Sequence, residues 1–238
     1  MNNKTTSIPQ CVTCPTLHLS VFKYFEPDSY SKLNKNKRKK SYKKGQIIFH
    51  EGHPAHVMYC INTGKVILYK FTSDGKRHIS RIANPGDPLG HLAIFSNQPY
   101  SVTAEALEDT NLCYFDRKLI YPLLSENNDV TWNIVQKLTK ELITAQNKTL
   151  DMANMSVRER VANLLLLLKE KYGKNSGEEI LLDINLSRED MADLAGTSKE
   201  SLVRTLSDFR SEHLIQTKKR QIFISSPVKL AGIVGYQD

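Results

Sequence analysis

The sequence lacks any stretch that would tie it to a membrane. Its densest apolar run, Leu164 to Leu168, is five residues, far short of the roughly 20 that cross a bilayer. The opening segment, MNNKTTSIPQ, is polar and has no apolar core of a secretory signal. A cytoplasmic protein with no membrane partner is the expectation. Cysteine is sparse, at positions 11, 14, 60 and 113. In a reducing compartment such residues serve as thiols or metal ligands more often than as structural disulfides. Also missing are a nucleophile–base constellation, a phosphate-binding loop and an HExxH motif, so an enzyme is not expected.

The chain has 238 residues, long enough for two domains and a connecting element. A formal net charge of +8 points toward nucleic acid, but the charge is unevenly placed. Residues 1–44 carry ten Lys/Arg against two Asp/Glu, residues 45–154 carry 10 against 11, and residues 155–238 carry 13 against 12. The excess lies mostly between Lys32 and Lys44, a run that reads as a solvated loop. Net charge therefore cannot carry a DNA-binding assignment, and motifs must.

Three segments of different character follow one another, at residues 1–128, 129–153 and 154–238. Residues 45–117 read as all-β, with short apolar runs punctuated by Gly52, Gly64, Gly75, Gly86 and Gly90. Asp74-Gly75 is a hairpin signal. Such strands form a barrel, sandwich or roll, and a roll can enclose an effector pocket. Across 129–153 glycine and proline vanish, while Val135, Leu138, Leu142, Ala145, Thr149 and Met152 recur at alternating spacings of three and four. That heptad seam predicts a parallel two-helix contact in a constitutive homodimer. Trp132 and Ile134 are expected to pack on their own domain. Residues 156–172 read as a core helix with Val157, Val161, Leu164, Leu165 and Leu168 on one face, and Gly173 to Gly177 breaks the chain.

The densest signal lies between Ser187 and Phe223. Ser187 with Asp190 resembles a capping box opening a helix, Gly196 supplies a sharp turn, and Thr197 or Ser198 caps a second helix running to about Ser211. Leu202, Leu206 and Phe209 face its core side, leaving Lys199, Glu200, Val203, Arg204 and Ser207 outward. This is a helix-turn-helix, whose second helix enters the major groove. Arginine can hold guanine O6 and N7, and glutamate can accept from cytosine N4. After it, 214–217 and 221–224 read as strands joined by Lys218-Lys219-Arg220, a wing placed to touch phosphate.

Taken together, KKGQIIFHEG, MYCINTGKVILY, SDGK, NPGDPLGHLAIF, AEALEDTNLC, RERVANLL and LSREDMADLAGTSKESLVRTLSDF resemble the Crp/Fnr superfamily over nearly the whole chain. The resemblance implies an α+β architecture: a cyclic-nucleotide-binding-like β-roll (a jelly roll), a long dimerisation helix and a winged helix-turn-helix. It implies a transcription regulator that binds inverted-repeat, TGA/TCA-containing double-stranded DNA as a homodimer, with RNA polymerase as a partner. Glu200 and Arg204 fall on the base-reading positions, with Ser198, Lys199 and Val203 beside them. In cAMP-binding members a Gly-Glu-Leu stretch and an Arg-Ser pair clamp the nucleotide; here they read Gly90-His91-Leu92 and Tyr100-Ser101, so cAMP is not expected. Oxygen-sensing Fnr-like members hold an iron–sulfur cluster on four cysteines. Cys11, Cys14 and Cys113 match three places, and the fourth is Ser20, a poor iron ligand. Cys60 reads as a buried small apolar residue. An iron–sulfur cluster, thiol redox sensing, a small-molecule effector, a haem-bound gas and no effector all stay open.

Overall fold

Strand-forming runs between Arg38 and Asp116 fold into two four-stranded antiparallel sheets. A computed structural model describes residues 10–73 and 75–235, which divide into two units, residues 1–142 and 143–238. In the first unit an arm leads into helix α1 (Pro27–Asn36) and strands β1 (Arg38–Tyr42), β2 (Ile47–Phe49), β3 (Val57–Thr63), β4 (Val66–Phe71), β5 (Arg77–Ala83) and β6 (Pro88–Leu89). Helix α2 (His91–Ser96), β7 (Thr103–Ala106), β8 (Thr110–Asp116) and helix α3 (Arg117–Glu126) follow. One sheet runs β1-β8-β3-β6 and the other β2-β7-β4-β5. Met58, Ile61, Val66, Leu89, Ala104 and Leu112 contribute to one core drawn from both. Each such large aliphatic side chain contributes about 1.5–3 kcal/mol by leaving water.

The arm is part of this core. Val21, Phe22 and Phe25 are buried, Phe22 meets Phe115 edge to face with centroids 5.7 Å apart, and the Tyr30 hydroxyl donates to the Phe22 carbonyl at 2.9 Å. The basic run is not the solvated loop its charge implies. Lys32 and Lys35 lie on α1, and Arg38 to Lys40 form the exposed edge strand β1, hydrogen-bonded to β8. Cations on an edge strand stay in water and discourage pairing with other chains. Asp74, half of the hairpin signal, lies outside the described residues, as do 1–9 of the polar leader; β4 and β5 do pair as neighbours.

Helix α4 (Asn128–Asn154) is unbroken because nothing in it interrupts the hydrogen-bond ladder. Val130 and Ile134 are buried, whereas Trp132 is exposed, contrary to its expected packing. Of the six seam positions, Val135, Leu142, Ala145 and Thr149 are exposed, while Leu138 and Met152 are half-buried.

In the second unit, helix α5 (Val157–Tyr172) opens with a full capping box between Ser156 and Glu159 and buries Val161, Leu164, Leu165 and Leu168. Strands β9 (Gly173–Ser176) and β10 (Glu179–Leu182) pair where the sequence suggested only a break. Helices α6 (Arg188–Ala195) and α7 (Lys199–Ser211), strands β11 (Ile215–Lys218) and β12 (Gln221–Ile224), and helix α8 (Pro227–Val234) complete it, with sheet order β11-β12-β10-β9. Among the described residues no helix is long and apolar enough to cross a membrane.

Candidate nucleic-acid interface and sensory sites

The helix-turn-helix is built as its sequence dictates. Ser187 accepts from the Asp190 amide while Asp190 accepts from the Ser187 amide, which satisfies two otherwise unpaired donors at the start of α6. Gly196 closes that helix at φ 61°, and a Cβ there would lie 2.3 Å from the Met152 side chain. The left-handed backbone is what demands glycine, since the tip of the Met152 side chain could move aside. Arg160, from the RERV segment, fixes the turn further: its guanidinium donates to the carbonyls of Met155 (2.6 Å), Ala195 (3.0 Å) and Gly196 (3.1 Å). The sequence flagged the segment but not this role.

Ser198 caps α7 by accepting from the Ser201 amide. Leu202, Leu206 and Phe209 are buried, and Glu200, Val203 and Arg204 are exposed. Among the described residues Arg204 has no ion-pair or hydrogen-bond partner, and no Glu200–Arg204 bridge forms. The Glu200 carboxyl is held below its ordinary range by its own amide and by the Ser198 hydroxyl, so it stays an acceptor at neutral pH. Lys199 differs from its neighbours because it pairs with Glu189 across the turn. On the wing, Lys218 is the last residue of β11, with its ammonium 4.8 Å from the Phe223 ring centroid. Lys219, at φ 57°, and Arg220 form the exposed tip.

Two of the positions that resemblance gives to a nucleotide clamp, Tyr100 and His91, are engaged inside the protein. Tyr100 is buried, stacks on Phe49 with centroids 4.0 Å apart, and donates its hydroxyl to the Val57 carbonyl at 2.8 Å. Its ring lies flush on Gly90, where a Cβ would come within 2.7 Å. His91 is buried, with Nε2 3.0 Å from Glu141 on α4. Arg81 also reaches Glu141 at 3.0 Å, and Lys137 pairs with Asp87 at 2.5 Å. Burial works against the Glu141 charge, but the His91 hydrogen bond and the Arg81 and Lys137 charges outweigh it and hold the carboxyl below its ordinary range. Leu92 and Ser101 are exposed, and Gly90 and Tyr100 are in contact.

A cavity lies between the arm and the β1-β8-β3-β6 sheet. Cys11, Cys14 and Cys113 line it, together with Ser20. Cys60, which the sequence reading set aside, lines it too. Burial pushes three of these thiols up: Cys11, against the opposing charge of Lys37, Cys113 to about 11, and Cys60 further.

A winged helix-turn-helix with an exposed outward face on its second helix, following a β-roll and a long helix, defines a DNA-binding transcription regulator. Residues 39–127 match the cyclic nucleotide-binding domain family, and residues 159–233 match the Crp-like helix-turn-helix domain family. The chain is 26% identical over 211 residues to a CRP-like cAMP-activated global transcriptional regulator of Mycobacterium tuberculosis, covering 89% of this chain and 94% of the relative. It is 24% identical over 235 residues to the transcriptional activator protein FnrL of Cereibacter sphaeroides, covering 97% and 94%. The solved structure of FixK2 from Bradyrhizobium japonicum superposes with a TM-score of 0.74 at 27% identity, over 85% of this chain and 99% of that one. The chain belongs to the Crp/Fnr superfamily of transcription regulators.

Proposed function

We propose that this regulator binds inverted-repeat operators with TGA/TCA half-sites as a homodimer in the cytoplasm, its half-sites about one helical turn apart. The carrying observation is the outward face of α7: Glu200, Val203 and Arg204 are exposed, and Arg204 has no protein partner among the described residues. Arg204 reads guanine and Glu200 reads cytosine, Ser198 and Val203 lie alongside, and Lys218, Lys219 and Arg220 contact phosphate. Lys199 holds Glu189 and orients the first helix against the second. The exposed apolar positions of α4 form the dimer contact, and RNA polymerase is the partner through which DNA binding becomes regulation.

The signal enters through the N-terminal unit, and cAMP is not that signal. Two observations support this: Tyr100 and His91 stand where the nucleotide clamp would be, and both are engaged with the protein itself. In fluorescence anisotropy a TGA/TCA palindrome should bind orders of magnitude more tightly than a scrambled duplex. Equal affinities would remove the assignment.

A further inference from the structure

All four cysteines of the chain line one cavity, although they come from three separate segments. Cys11 and Cys14 sit on the arm, Cys60 on β3 and Cys113 on β8. Cys60 and Cys113 are direct partners in the antiparallel β3–β8 register, so their side chains leave the same face of the sheet. Most of the remaining wall is apolar, including Leu17, Phe22, Leu33 and Phe115. Two polar side chains of the wall reach sulfur: Asn62 Nδ2 donates to Cys14 Sγ at 3.2 Å, and Thr16 Oγ1 lies 3.3 Å from the same sulfur.

Two smaller explanations do not account for this wall. The cysteines are all free thiols, so no disulfide explains their convergence. Among the described residues no three His, Cys, Asp or Glu side chains are arranged to hold a single metal ion. Four sulfurs spread around one cavity instead suit a larger, soft, thiolate-bound group, and an iron–sulfur cluster is held by four cysteine thiolates. Family resemblance would put the fourth ligand at Ser20. That hydroxyl already accepts from the Phe22 amide at 3.2 Å and stands beside the Cys60 thiol, where it works against the effect of burial. Hydrogen bonds to a ligand sulfur orient it and tune what it holds.

We propose that Cys60 is the fourth thiol ligand of an iron–sulfur cluster carried by Cys11, Cys14, Cys60 and Cys113, with Ser20 as a hydrogen-bond partner of the Cys60 sulfur. The site lies wholly within residues 1–142 and stands independently of how α7 reads DNA. The ligand set differs from the family pattern by moving one donor from the arm to the sheet, so that arm and sheet each give two.

The test is anaerobic reconstitution of the full-length protein with ferrous iron and sulfide. The readouts are bound iron, acid-labile sulfide and the visible absorbance band. Wild type and Ser20→Ala should take up equal amounts of both, while Cys60→Ala and Cys14→Ala should fall to background. The Ser20→Cys/Cys60→Ala double variant should regain the band, which shows that the Cys60 variant folds and lacked only a thiol. Melting of the apo proteins provides a second check on folding. Failure of wild type to bind iron and sulfide would overturn the proposal. So would a full cluster in Cys60→Ala, or loss of the cluster in Ser20→Ala alone.

Discussion

At the scale of single residues, the proposed reading face rests on Arg204. It is exposed, and no described neighbour competes for its guanidinium. Arg204→Ala should cost about 1–3 kcal/mol on the cognate site and relax discrimination at one base pair, measured by titrating single-base variants of the operator. Retained discrimination would place the reading face elsewhere. Glu141 supports a second prediction, about pH. Its carboxyl is held below its ordinary range in the folded state, so it contributes stability above its unfolded pKa, near 4.3. That contribution disappears as pH falls through the lower folded value. Thermal melts should show Glu141→Gln less stable than wild type at neutral pH, with the gap closing in acid. A gap that persists in acid would mean that packing, not charge, is the cause. Residue roles were unevenly legible in the sequence. The Ser187–Asp190 cap and the Gly196 turn depend on neighbours along the chain and could be read directly. Arg160 and Cys60 could not, because Arg160 acts on carbonyls more than 30 residues away and Cys60 meets the other thiols only through strand pairing.

Among the elements, α4 tests how far periodicity can be trusted. Its existence follows from the absence of glycine and proline, and its limits differ from the expected 129–153 by one residue at each end. The heptad pattern does not say which apolar positions are already occupied by the protein's own core. Leu138 packs against the roll core and Met152 against the Gly196 turn. Leu142, Ile143 and Leu150 remain at 59%, 50% and 59% exposure, a stripe costly to leave in water. Leu142→Glu should convert the dimer to monomer in light scattering and weaken operator binding. An unchanged dimer would move the interface off this stripe. Several elements were missed in the sequence: β1 and β9 are polar edge strands without an apolar pattern, α2 is a six-residue helix inside a segment read as all-β, and α8 is a short helix that opens at Pro227, while α1, α3 and β10 were not read either.

At the scale of the whole molecule, the net charge of +8 invites the reading that the front of the chain grips DNA. The structure argues for a more local grip. Several front cations are committed inside the first unit: Lys32 to Glu126 at 2.8 Å and Lys43 to Asp109 at 2.7 Å. Exposed pairs of this kind add little stability, but they neutralise charge that would otherwise be available to phosphate. The C-terminal segment carries 13 cations against 12 anions, so its grip must come from placement. Lys219 and Arg220 at the wing tip, with Lys218 beside them, are exposed, and the first two have no described partner. Each phosphate contact lowers the slope of log K against log salt by about 0.9. If all three wing cations of both protomers touch phosphate, alanines at 218, 219 and 220 should flatten that slope by up to about 5. Alanines at Lys35, Arg38 and Lys40 should leave it unchanged. Specific and scrambled duplexes should weaken in parallel for the wing variant, because phosphate contacts carry no sequence information. If the front variant flattened the slope instead, the N-terminal unit would be the electrostatic anchor, and the wing would owe its cations to solubility alone.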